Sequence, residues 1–169
     1  MGIKLDRQSQ PVHLSSSLSV RADAFVQQGS GGRSAAGTHP FRRKIDFWVM
    51  SIAYAVFLDL DPAAEPPTDR FVSVSTNPKE GPSLPDEVQT ALIALHVAEN
   101  QDVPIDDIDL TPAAILRTAD RYAEAGAGAL LERLNSALDE MDVQPYQGMA
   151  EMLIEDLETV EEQLHSIPT

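Results

Sequence analysis

The chain contains no cysteine, which excludes disulfides, thiolate nucleophiles and cysteine-ligated zinc from its chemistry. Aromatic residues are sparse at 5%, and Trp48 is the single tryptophan. Basic residues become scarce after residue 44. Residues 45–169 hold five Lys/Arg against 25 Asp/Glu, a local charge of −20, whereas residues 1–44 hold seven against Asp6 and Asp23, a local charge of +5. The net charge of −15 therefore describes a basic arm on an acidic body, an asymmetry that points to nucleic-acid or protein partners. No apolar run reaches the about 20 residues that cross a membrane. At the N-terminus Ile3 and Leu5 alternate with Lys4, Asp6 and Arg7, which is neither the apolar core of a secretory signal nor a myristoylation pattern. A soluble cytoplasmic protein with no membrane contact is expected. There is also no phosphate-binding glycine loop, HExxH, GxSxG or EF-hand pattern, and the histidines at 13, 39, 96 and 165 have no motif neighbours. No cofactor, no enzymatic activity and no small-molecule substrate are expected.

What is present is enough apolar residue, 43% of 169, for one domain with a core. The stretch Pro40–Pro62 organises it. Ile45, Trp48, Val49, Ile52 and Val56 fall at helical spacing, and Phe47, Met50, Tyr54 and Phe57 occupy the other side. A helix apolar all round is buried on several sides, so this is the predicted central helix, closed by Asp59-Leu60-Asp61-Pro62.

Before it, Val12, Leu14, Leu18 and Val20 share one parity and predict a short strand. Ala22–Gln28 predicts a short helix, and the glycine- and serine-rich run Gly29–Gly37 a flexible surface connection. After it, Phe71–Thr76 predicts a strand that pairs with the 12–20 segment. Ser83-Leu84-Pro85-Asp86 matches a capping box opening a helix to about Glu99, with Val88, Ala91, Leu92 and Leu95 inward and His96 at the core edge. Thr111 and Pro112 suit the N-cap and first residue of a further helix. Its apolar positions Ile115, Ala119, Tyr122, Leu130, Leu134, Leu138 and Met141 run through Gly126 and Gly128, either unbroken or bent there. Interior glycines cost about 1 kcal/mol each relative to alanine, and close approach of the central helix would offset that. A final helix near residues 146–165 would bury Met149, Leu153, Leu157, Val160 and Leu164, leaving an acidic outer face.

Two charged features bear on function. Arg42, Arg43 and Lys44 open the central helix, where cations oppose the helix dipole and Asp46 offsets only part of the cost. A phosphate backbone, contacted also by Arg33, or an acidic surface, either the protein's own C-terminal helix or a patch on a partner, would complete the compensation. Glu151, Glu155, Glu158 and Glu162 on the last helix would be solvent-facing, either as a solvated surface or as a face that binds a basic partner. The aspartate groups Asp59-x-Asp61 and Asp106-Asp107-x-Asp109 raise the question of a metal-dependent nuclease. Helix boundaries favour aspartate without any metal, and no metal site is expected.

Val20-Arg21, the Pro40-Phe41 step into an alanine-bearing helix with Ala53 and Ala55, and Tyr122-Ala123 with Gly126, Gly128, Leu130 and Leu131 together cover about half the chain. In these features the sequence resembles small accessory proteins encoded with Dnd loci, bacterial systems that place phosphorothioate sulfur in DNA. It departs from them at Asp59, where that family tends to end its helix in glycine, and in its extended acidic C-terminal segment. The resemblance implies a helical accessory protein of an antiphage defence or DNA-modification system, with no catalytic residue to carry over.

The expected fold is mainly α, a compact bundle of about five helices around the central apolar helix with at most a small two-stranded β element. Residues 1–39 would form a basic, partly flexible arm and residues 40–169 an acidic helical domain. The expected function is that of a non-catalytic accessory subunit of a DNA-targeting complex, docking a larger protein subunit through the acidic body with the arm near DNA. The alternative is an acidic DNA mimic or regulatory protein that binds a nucleic-acid enzyme.

Overall fold

The strands β1 (Gln10–His13) and β2 (Arg70–Val74) pair antiparallel, as predicted, with Gln10 opposite Val74, Val12 opposite Val72 and His13 opposite Arg70. These come from a computed structural model that describes residues 10–27, 39–74 and 84–140, with side chains of the last helix as far as Ser136. The connection Gly29–Gly37 with Arg33, the expected terminal helix and its residues Glu151, Glu155, Glu158 and Glu162 lie outside the described residues. Within them the chain is mainly helical: α1 (Ser16–Ala22), α2 (Lys44–Phe57), α3 (Asp86–Glu99) and α4 (Pro112–Glu140), plus one 3-10 turn at Ile105–Asp107.

The predicted strand stops at His13 and gives way to α1, and residues 23–27 form a turn and a bridge in place of the predicted short helix. Leu14, Leu18 and Ala22 lie four apart, so they satisfy a helical face as well as strand parity. Tertiary anions decide between the two. The Asp69 carboxylate accepts the Ser16 N–H (3.1 Å) and hydroxyl (2.6 Å), and Glu124 accepts the Ser15 N–H at 2.8 Å, so both serve a helix start. Val20 is consequently 73% exposed instead of half-buried. Val12, Leu14, Ala22, Phe25 and Val26 are buried in the same core as α2 and α4, so residues 10–27 of the expected arm belong to the folded body. Backbone bonds between Gln27 and Phe41 and between Phe41 and Phe25 bring the two ends of segment 28–38 together.

Helix α2 packs along α4 with its small face. Ser51 and Ala55 are fully buried, and a Cβ on Gly126 would overlap the Ser51 carbonyl oxygen and lie 2.9 Å from the Ala55 nitrogen. Gly126 thus permits the close helix approach that the sequence led us to expect. Gly128 does not share that role, because a Cβ there meets nothing within 4 Å. α4 runs unbroken through both. On a second side of α2, Phe47 stacks edge-on against Phe41 (5.3 Å) and Phe71 (6.1 Å), joining the helix to β2.

At its C-terminus α2 closes with two reversed backbone bonds, Leu60 N–H to Ala55 C=O (2.9 Å) and Asp59 N–H to Val56 C=O (3.2 Å). This is a Schellman cap, and Asp59 sits at its left-handed position with φ 52°. This backbone position is one that glycine occupies without strain.

The central helix is not buried all round. Val56 and Phe57 are 52% and 37% exposed, and Ala53 is exposed beside them. α3 explains why. It meets α4 through Leu92 and His96, not through the whole predicted set, so Val88 and Leu95 are only half-buried and Ala91 is exposed. At its end Glu99 accepts the Tyr122 hydroxyl (2.8 Å) and an Arg121 N–H (3.2 Å), while the Arg121 Nε–H donates to the Ala63 carbonyl at 2.6 Å. The start of α4 follows prediction, with the Thr111 hydroxyl accepting the Ala114 N–H at 3.4 Å. No helix among the described residues is long and apolar enough to cross a membrane.

Candidate functional site

The basic cluster is largely spent inside the molecule. Arg43, at the N-cap of α2, donates through Nε and Nη2 to Asp46 at 2.6–3.1 Å, and this hydrogen bonding holds its pKa above the ordinary arginine value. Lys44 pairs with Asp23 at 2.6 Å and lies 5.1 Å over the Phe71 ring. Asp46, which the sequence already credited with part of the compensation, and Asp23, which it did not, thus offset two of the three cations. Arg42 is exposed.

The aspartate groups take boundary positions. Asp59 forms the α2 cap, Asp106 and Asp107 are exposed in the 3-10 turn, and Asp109 accepts the Thr111 N–H at 3.0 Å ahead of α4. The Thr111 backbone and hydroxyl hold the Asp109 carboxyl below its ordinary pKa. Among the described residues no group of three His, Asp or Glu is placed to share a metal ion.

A buried polar network escaped sequence reasoning. Asp120 accepts the His13 backbone N–H (2.9 Å), the His13 ring Nδ1–H (2.8 Å) and the Trp48 indole N–H (3.1 Å). Burial pushes its pKa up to about 6, against the lowering effect of those three donors. The signal was there: Leu116, Asp120, Ala123 and Ala127 share one helical stripe, and a carboxylate in such a stripe needs donors. A cavity of about 370 Å³ adjoins the pair, lined also by Arg117, Pro66, Pro67 and Thr68. A His–Asp pair can orient an imidazole for proton transfer. Here Asp120 braces β1, α2 and α4 together, and among the described residues no hydroxyl hydrogen-bonds to the His13 ring. His96 is likewise structural and more deeply set than a core edge. Its Nε2–H donates to the Asp109 carbonyl (3.0 Å), and its Nδ1 accepts from the Thr118 hydroxyl at 2.7 Å.

A further feature of the fold is apolar. Between α2 and α3 lies an open groove of about 620 Å³. One wall is Val49, Ala53, Val56 and Phe57 of α2; the other is Val88, Ala91, Leu95 and Ala98 of α3. Ile52 and Leu92 form its base, and among the described residues no polar side chain lines it. The α2 positions recur at i, i+4 and i+7, and the α3 positions at i, i+3, i+7 and i+10, so two apolar ridges face a common trough. Comparison with family models, with curated proteins and with solved structures finds no match. The sequence identified the apolar positions of both helices but read them as core, because periodicity marks a face without saying what covers it.

Proposed function

We propose that this chain is a non-catalytic accessory protein that docks a larger subunit by seating an amphipathic helix of that subunit between α2 and α3. The observation that carries the reading is the apolar groove, in which Ala53, Val56 and Phe57 stay exposed on a helix whose other apolar residues are buried or half-buried. Two helices that present ridges to one trough are completed by a third helix, and recognition through i, i+3, i+4 and i+7 anchors is a general mode of helix binding. α3 spans 14 residues, about 21 Å, which accommodates about four turns of a bound helix. The wider role is that of an accessory subunit in a DNA-targeting defence or modification complex, as the resemblance implies. Any DNA contact then falls to Arg42 and to Arg33, since Arg43 and Lys44 have acidic partners within the fold.

Co-purification from the native host tests the docking. A partner retained by the wild-type chain and lost with Val56→Asp supports the reading, provided the variant keeps its helical circular dichroism. Equal retention by both chains sinks it. Neighbouring genes for sulfur transfer or restriction would support the wider role, and their absence around every copy would remove it.

A further inference from the structure

We infer that the cavity beside His13 and Asp120 is a binding site for a compact organic anion, a carboxylate or phosphate monoester with an apolar body. It shares no residue with the α2–α3 groove, so the inference goes beyond the docking role. The volume of about 370 Å³ is that of a small-molecule pocket, commonly about 300–1,000 Å³. The lining also has the composition of one, with apolar walls from Pro66, Pro67 and Leu116 and a few polar groups converging on them. Two of those groups are cations in a chain of net charge −15: the Arg117 guanidinium and, when protonated, the His13 imidazole. Thr68 adds a hydroxyl.

The site is built before any ligand arrives. Asp120, 2% exposed, accepts both the backbone N–H and the ring Nδ1–H of His13, which fixes the ring and leaves Nε2 for a ligand. The wall Pro66-Pro67-Thr68 is pinned at both ends. Ala63 exchanges hydrogen bonds with Arg121, and Asp69 accepts from the Leu14 and Ser16 N–H groups. Such preorganisation reduces the ordering cost of binding. An acid group in the cavity accepts from the guanidinium fork of Arg117 and from Nε2–H of the imidazolium, while Asp120 keeps Nδ1–H. The neighbouring carboxylates do not compete for these donors' free sides. Both oxygens of Asp120 are taken by His13 and Trp48, Asp69 is engaged by Ser16, and Asp109 by Thr111. Arg70 stands opposite His13 in the strand pair, a further positive charge on this side of the fold.

Trp48 supplies a reporter for the test. It is the single tryptophan, and its indole N–H donates to the same Asp120 that holds His13. The isotope-labelled full chain is titrated at fixed pH with benzoate, phenyl phosphate and neutral benzamide, and the indole resonance is followed by proton–nitrogen correlation NMR. An anion site predicts a saturable shift with benzoate or phenyl phosphate within about 10 mM, and binding of benzamide at least about tenfold weaker. The tighter of the two anions names the acid group the site takes. Arg117 is exposed, so Arg117→Gln should keep the ligand-free indole position and the circular dichroism of the wild type. It should weaken anion binding about tenfold, the scale of one charge-assisted hydrogen bond. His13→Gln, the second variant, should weaken it similarly. No saturable shift with either anion, benzamide binding as tightly as the anions, or unchanged anion affinity in either variant overturns the inference.

Discussion

Replacing Gly126 by alanine sets two effects of known size against each other. Alanine gains about 1 kcal/mol over glycine in a helix interior. Against that, the new Cβ would overlap the Ser51 carbonyl oxygen, 2.8 Å from its carbon and 2.9 Å from the Ala55 nitrogen. These are backbone atoms of α2, so no side-chain rotation relieves the contact and the two helices must part. Overpacking of a core costs about 1–3 kcal/mol, and a clash between backbones belongs at or above the top of that range. Parting the helices also opens gaps around their buried side chains, and a gap of 0.5–1 Å forfeits about a quarter to a half of each affected contact. A net loss of about 2 kcal/mol or more is expected. Gly128→Ala is the internal control, because its Cβ has open space and it should stabilise by about 0.5–1 kcal/mol. Urea unfolding followed by the fluorescence of Trp48, the single tryptophan and fully buried, reads both variants. Changes of the same sign at the two glycines would refute the close approach of α2 and α4.

Three further perturbations follow from the same contacts. Trp48→Ala should destabilise by about 3–5 kcal/mol, the usual cost of a deleted buried aromatic, and thermal unfolding monitored by circular dichroism checks it. Asp59→Gly should stabilise by about 0.5–1 kcal/mol, since it relieves a left-handed position at the α2 cap; a loss in the urea midpoint would contradict this. For Asp120, burial raises the folded pKa from 3.8 to about 6, so between those values the folded chain holds a proton that the unfolded chain has released. Its contribution is full below about pH 4 and is lost as pH rises to about 6, by up to about 3 kcal/mol. Stability measured across that window should fall for the wild type and be flatter for Asp120→Asn.

Much of the local structure was legible because short-range chemistry sets it. Thr111-Pro112 starts α4, Gly126 marks a close approach, and Val12 and His13 of the predicted first strand do pair with β2. The errors arise where long-range partners decide. Leu14, Leu18 and Ala22 suit either period, and Asp69 and Glu124, distant in sequence, select the helix. The cations at the start of α2 looked uncompensated because Asp23 lies beyond helical range, although Asp46 was in view. Asp120 was overlooked because its donors His13 and Trp48 are on two other elements. For α2 and α3 the apolar faces were seen, but whether a neighbour covers them depends on packing that periodicity does not encode.

The docking role of the α2–α3 groove is tested most directly by titrating the purified co-purifying partner against three chains: wild type, Val56→Asp and Val20→Asp. Val56 and Val20 are both exposed, at 52% and 73%, but only Val56 lines the groove. The account predicts that Val56→Asp raises Kd by about 100-fold or more, the roughly 2.7 kcal/mol of a lost anchor, while Val20→Asp leaves Kd within about twofold of wild type. Equal Kd values for Val56→Asp and wild type would contradict it.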